Sequence, residues 1–209
     1  MTIEIWSDVS CPFCYLGKRK LDLALEQTGL ASSAQKVWRS FLLNPGLVTD
    51  PDISIYDYLV KVKGFDAVQA QAVNKHITTS GEAIGITFRF DNVVVANTMR
   101  AHQLLHFAAQ QGKQDLTGEL LFQANFSDGR NVDAVDVLLD IATKAGLDPD
   151  GLEDALADGA FAEPIARDIA EASQLGVHGV PFFVFNRRHA ISGAQEMGVF
   201  VETIREAGL

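Results

Sequence analysis

Extended-chain patterns occur at the two ends of this sequence, and the long stretch between them repeats at helical spacing. Residues 2–7, TIEIWS, alternate Ile3 and Ile5 with polar neighbours, the period of a half-buried strand, and stop at the turn-forming Asp8, Val9 and Ser10. A helix follows. Pro12 suits its first position, where a missing N–H has no partner to lose, and Leu16, Leu21, Leu23 and Leu25 supply apolar content before Gly29 ends the run. Residues 34–44 carry Val37, Trp38, Phe41, Leu42 and Leu43 up to Asn44-Pro45-Gly46 and read as a second strand. Strand, helix and strand in that order make a βαβ unit, whose right-handed crossover sets its strands parallel.

From about residue 53 to residue 175 the apolar positions recur at helical intervals: Ile55, Leu59 and Val62; Val68, Ala72 and Ile77; Ala101, Leu104, Leu105 and Ala108; Leu116, Leu120, Leu121 and Ala124; Val132, Val135, Leu138, Leu139 and Ala142; Leu152 and Leu156; Ile165, Ile169 and Ala172. Residues 88–98 break that pattern and are expected to be a loop or an extended piece. After Gly176, VPFFVF at residues 180–185 and HAIS at 189–192 flank the turn NRR and predict a hairpin. Residues 195–206 close the chain as a helix with Met197, Phe200, Val201 and Ile204 inward. The expectation is an α/β protein in which residues 1–50 and 176–209 build a small sheet domain and residues 51–175 form an inserted all-helical domain.

The formal charge of -10 and the pI near 4.8 argue against nucleic acid or an anionic membrane as partner, since both call for basic patches. The acidic residues between 115 and 171 are interspersed with Leu and Ala and read as a solvated helical face. Apolar runs fall far short of the roughly 20 residues that span a bilayer. Residues 1–6 lack a basic leader with an apolar segment behind it, so a soluble, cytoplasmic protein is expected.

Both cysteines of the chain lie in SCPFC, between the first strand and the first helix. At a helix start, unpaired N–H groups and the partial positive charge of the aligned peptides stabilise a thiolate on Cys11, making it nucleophile and leaving group. Cys14, one turn further in, is then the resolving thiol. A zinc site would need more ligands, and His76, His102, His106, His178 and His189 form no cluster with the pair, so no metal is expected. A structural disulfide closing so short a loop would stabilise little. Thiol chemistry is the favoured reading, and two inert thiols remain the plain alternative.

Lys18, followed by Arg19 and Lys20, could add positive potential near the pair or lie on the surface with its stem along the helix. His102 and His106 share a helix face at i and i+4, and are read as packed or surface histidines. Asn97-Thr98 reads as a helix cap. Pro181, which cannot donate to a ladder, either simply starts its strand or forms a cis bond with Val180 beside the cysteines, exposing the Val180 backbone to a substrate segment.

The order SDVSCPFCYLGKRKLDLAL, NP, NTMRAHQLLHFA, LFQANFSDGRNVDAVDVLLDIATKAGLD and GVHGVPFFVFNRRHAISGAQ resembles the DsbA-like thioredoxin superfamily, specifically its cytoplasmic FrnE-like branch, over residues 2–206. The resemblance implies a thioredoxin-like fold with a helical domain inserted before a cis-proline. It assigns Cys11 and Cys14 as the catalytic pair and Pro181 as the cis-proline. Val180, Pro12 and Phe13 then lie at the substrate, with Gln195 and Lys18 as candidate pocket residues. Phe13 stands where tryptophan is the more familiar family residue, which keeps aromatic surface and removes an indole donor. The chain has no second cysteine pair, so it cannot relay electrons through one.

The function expected is thiol-disulfide exchange on protein or small-thiol substrates, without a bound cofactor and with glutathione as a candidate co-substrate. The alternative is a glutathione-dependent isomerase or transferase of the 2-hydroxychromene-2-carboxylate isomerase or kappa type; those relatives use a serine where this chain has Cys11. A non-catalytic binding or chaperone-like protein is a third class. Sequence leaves monomer and homodimer open.

Overall fold

The computed structural model describes residues 1–208. Its elements run β1 (Thr2–Ser7), α1 (Pro12–Gln27), β2 (Gln35–Ser40), α2 (Ile55–Lys61), α3 (Ala67–Glu82), a 3₁₀ turn (Phe90–Asn92), α4 (Met99–Ala109), α5 (Gln114–Phe126), α6 (Val135–Lys144), α7 (Pro149–Ala157), α8 (Ala162–Gln174), β3 (Phe182–Phe185), β4 (His189–Ser192) and α9 (Met197–Ala207). The strands form one sheet in the order β2-β1-β3-β4. β1 and β2 are parallel, while β3 runs antiparallel to β1 and β4 antiparallel to β3.

Alternation along β1 sorts the two faces of the sheet. Ile3 and Ile5 point with Phe183 and Phe185 toward α1 and α9, where Leu21, Leu25, Phe200 and Ile204 complete the main core. Trp6 points to the opposite face, packs with Ala172 and Val177, and donates its indole N–H to the Asp168 carbonyl at 3.1 Å. Glu4, buried on that face, is held by Arg39 and Arg187, each at 2.6 Å. Arg187 lies in the hairpin turn at a positive φ of 54° and reaches Glu171 of α8 as well, at 2.8 Å.

The outer edge of β2 is occupied by side chains from the helical region. Gln114 accepts from the Trp38 N–H at 2.9 Å and donates to the Trp38 carbonyl at 3.1 Å, as a neighbouring strand would. Asp168 accepts from the Ser40 N–H at 2.9 Å. An exposed edge is a template for pairing with another chain, and these two side chains close it. The helix α8, inside the insertion by the boundaries read from sequence, thus packs on the sheet as well as on α4.

Several local expectations differ from the structure; Val62 and Met197, read as inward, are exposed at 53% and 37%. The second strand stops at Ser40 rather than continuing to residue 44, because the Leu43 N–H turns to the Asp8 carboxylate at 2.8 Å instead of a ladder partner. Val68 and Ala72 of α3 face solvent, and Ala70, Asn74, Ile77 and Gly81 face inward. Leu116 is half-exposed while Gln114, Thr117 and Gly118 of α5 are buried. Close packing does fix two inward positions: a Cβ on Gly81 would meet the Phe88 ring at 2.6 Å, and one on Gly118 would meet Trp38 at 3.2 Å. Among the described residues no helix is long and apolar enough to cross a membrane.

Candidate active site

The loop from β1 into α1 is tied down on every side by Asp8. Its carbonyl accepts the Cys11 N–H at 3.0 Å, and its carboxylate accepts from the N–H groups of Ser10 at 3.1 Å and Leu43 at 2.8 Å and from the Thr98 hydroxyl at 2.8 Å. The His102 imidazole faces the same carboxylate at 3.6 Å, and Asp8 and His102 are each 1% exposed. Burial alone would raise the Asp8 pKa; the facing His102 and the two backbone donors outweigh it and hold the carboxyl below its ordinary value. The Asn125 amide donates to the Val9 carbonyl at 3.2 Å, so α5 braces the same loop.

Cys11 occupies the N-cap of α1 and makes no side-chain cap bond. Its thiol instead donates to the Val180 carbonyl at 3.5 Å, across the fold, where Val180-Pro181 is a cis peptide. Cys14 follows one turn inside, its N–H on the Cys11 carbonyl at 3.0 Å, and both sulfurs are free thiols. Cys14 is 1% exposed, and burial, reinforced by Cys11 beside it, pushes its pKa well above the ordinary thiol value. Ser7 and the Asp8 backbone pull the other way and do not prevail. The arrangement holds an outer sulfur on a wall and a sealed, protonated sulfur behind it.

That wall belongs to a cavity of about 340 Å³ lined by the loop into α1, the segment before β3 and the helical stretch between them. Cys11, Pro12, Phe13 and Val180 line one part, and α2 and α3 contribute Tyr58, Leu59, Val73, Asn74 and Ile77 to the rest. Phe13 is 40% exposed, and Pro181 is buried behind Val180.

Two candidate pocket residues lie elsewhere. Lys18 is buried among carboxylates, at 2.8 Å from Asp22 and 2.6 Å from Glu119, and does not line the cavity. Glu119 also takes Arg19 at 2.6 Å and the Tyr15 hydroxyl at 2.9 Å. Burial, with Glu119 adding to it, pushes Tyr15 up to about 12. A surface lysine covering its helix is therefore not what the chain builds: α5 arrives with a carboxylate, and the ammonium is drawn inward. Gln195 is exposed, donates to the Ser192 carbonyl at 2.8 Å, and neither lines the cavity nor caps α9.

His106 contacts Ser40 at 3.1 Å and Asp168 at 3.2 Å, while both His102 ring nitrogens lack a hydrogen-bond partner among the described residues. Asn97 caps α4 by accepting the Met99 N–H at 2.8 Å, because the Thr98 hydroxyl is committed to Asp8. Among the described residues no three His, Cys, Asp or Glu side chains are grouped to hold a metal. Sequence reasoning missed Asp8, read there only as part of a turn; a carboxylate placed at a strand end just before the cysteine loop was the available signal. It also missed Asn74, for which a polar residue on an inward helix face was the signal.

The chain belongs to the DsbA-like thioredoxin domain family, whose model matches residues 2–205. A probable DsbA oxidoreductase from Streptomyces coelicolor is 35% identical and superposes with a TM-score of 0.91, covering 100% of this chain and 90% of that one. Two more distant structures share the fold. One is a 2-hydroxychromene-2-carboxylate isomerase, 16% identical with a TM-score of 0.72, covering 99% and 95% of the two chains. The other is the cytosolic disulfide reductase DsbM from Pseudomonas aeruginosa, 16% identical with a TM-score of 0.66 over 99% and 95%; it is also known with GSH, at 18% identity and a TM-score of 0.65 over the same shares.

Proposed function

We propose that the protein exchanges disulfides with thiol or disulfide substrates through Cys11 and Cys14. The observation that supports this most is the pairing of a sulfur at a helix start, facing a cavity and the Val180 carbonyl, with a sealed thiol one turn behind it. In the reducing direction the Cys11 thiolate attacks a substrate disulfide, one substrate thiolate leaves with the bonding electrons, and Cys14 then attacks Cys11 and releases the second. In the oxidising direction a substrate thiolate attacks Cys11 of the internal disulfide, and a second substrate thiol releases it. Val180, Pro12 and Phe13 face the incoming sulfur. Glutathione is the monothiol we assign as co-substrate and the cytoplasm the setting, where the reduced thiol pool favours the reducing direction.

A 2-hydroxychromene-2-carboxylate isomerase shares the fold, and Cys14 separates a glutathione-dependent isomerase reading from the one proposed here. Activation of glutathione for isomerisation or transfer has no use for a resolving thiol held directly behind the first.

The test is equilibration of the chain in glutathione buffers of graded ratio, acid quenching, and mass analysis of the alkylated thiols. A reversible Cys11-Cys14 disulfide is expected. Cys11→Ser should abolish turnover and Cys14→Ser should accumulate a mixed disulfide on Cys11. Failure to form the internal disulfide at any ratio overturns the reading.

A further inference from the structure

We propose that the substrate met by Cys11 is a small organic disulfide with a compact apolar body, about one ring in size. The proposal rests on the exchange reading above and names its substrate class.

Access is the first argument. Cys11 is 4% exposed, and the space onto which it opens is the cavity. A cystine within a folded protein would have to carry its flanking chain in between the cysteine loop and the walls that α2 and α3 supply. A small molecule brings no such chain. The volume of about 340 Å³ lies at the small end of the roughly 300 to 1,000 Å³ typical of organic-ligand pockets.

The chemistry of the walls is the second. Leu47, Leu59, Val73, Ile77, Phe90 and Phe126 surround the space, so an occupant gains by burying apolar surface there.

The step conserves atoms and electrons. The Cys11 thiolate attacks one sulfur of R–S–S–R, that S–S bond breaks, and R–S⁻ leaves with the bonding pair and takes a proton. Cys14, losing its proton, attacks Cys11 in the mixed disulfide and expels the second R–S⁻. The dithiol is oxidised by two electrons and the organic disulfide reduced to two thiols. Two molecules of a monothiol such as glutathione reset the pair.

The test is a single-turnover reaction of the reduced full chain with 4,4′-dithiodipyridine, hydroxyethyl disulfide or insulin, each rate divided by that of free N-acetylcysteine with the same disulfide. The normalised rate should be about tenfold or more higher for the aromatic disulfide than for the other two, and Val73→Phe, which fills the cavity, should lower it about tenfold. Since a filled cavity can disturb folding, a second measurement uses the unaltered chain: ethylbenzene, which has a ring and no sulfur, should slow iodoacetamide modification of Cys11 saturably. Equal normalised rates, a preference for insulin, or no protection by ethylbenzene overturns the proposal. If the internal disulfide forms with none of the oxidants, it is the exchange reading that falls.

Discussion

Gly17 on α1 lies so close to Pro181 that a Cβ at position 17 would stand 2.9 Å from the proline Cγ and 3.0 Å from the Phe183 ring. The hydrogen of glycine is what allows the helix carrying both cysteines to seat against the segment carrying Val180. The approach of the Cys11 sulfur to the Val180 carbonyl depends on that seating.

Gly17→Ala should therefore destabilise the chain even though it removes a glycine from a helix. Overpacking costs about 1–3 kcal/mol and the gain in helix propensity returns about 1 kcal/mol, leaving a net loss of about 1 kcal/mol. Urea unfolding measures this, and a gain in stability would show that the contact relaxes freely. The rate of disulfide exchange should fall as well, since the helix moves relative to Val180.

Asp8→Asn should cost about 2–3 kcal/mol, because hydrogen bonds from Leu43, Ser10 and Thr98 to a charged carboxylate are replaced by fewer bonds to a neutral amide. The same variant should flatten the acid limb of the stability curve. The Asp8 carboxyl is held below its ordinary value in the folded chain, so the unfolded chain binds the proton more readily. Its contribution is complete above the unfolded value of about 3.9 and is lost as the pH falls from there through the folded value. Other lowered carboxylates, Glu4, Asp22, Glu119 and Asp168 among them, act in the same direction, so the measurement is the difference between the two curves.

Iodoacetamide at neutral pH should modify Cys11 and leave Cys14 untouched, as read by the mass of the labelled peptides. Burial and the raised pKa of Cys14 both act against its reaction. Protection should persist in Cys11→Ser, because burial is the larger cause of the shift. Labelling of Cys14 in that variant at the rate of a free thiol would mean the sulfur is not sealed.

Glu119→Gln should lower the pKa of Tyr15 from about 12, while burial keeps it above the ordinary phenol value. Phenolate absorbance difference spectra between the variant and the parent chain report the change. Stability should drop by about 3 kcal/mol, since the mostly buried Lys18 loses one of its two contacting carboxylates and keeps Asp22, with Asp115 acting on its charge as well. No change in either quantity would mean that the network is solvated.

The fold was legible where local chemistry and long-range packing agree. The alternation at Ile3 and Ile5, the helix start at Pro12 and the hairpin after Pro181 each need only neighbours in sequence to be read. Legibility failed where a distant segment decides the outcome. Lys18 looks like a solvated lysine until α5 brings Glu119 to it. The end of β2 is set by Asp8, a residue of another loop, and Gln114 is an ordinary surface amide until it meets the strand edge. The placement of the cysteine pair at a helix start was legible because the preceding strand and Pro12 mark that start locally. The walls of its cavity were not, since α3 lines it with Val73 and Asn74 beside Ile77, while the apolar period pointed Val68 and Ala72 inward.

The reactive sulfur and the surfaces that surround it are written in different stretches of the chain. The cysteines stand near the beginning, the proline beside them near the end, and much of the enclosure comes from α2 and α3 in between. Two inheritances can thus vary separately. Substitutions in the middle can reshape the cavity while the cysteine loop and the cis-proline segment at the ends stay as they are.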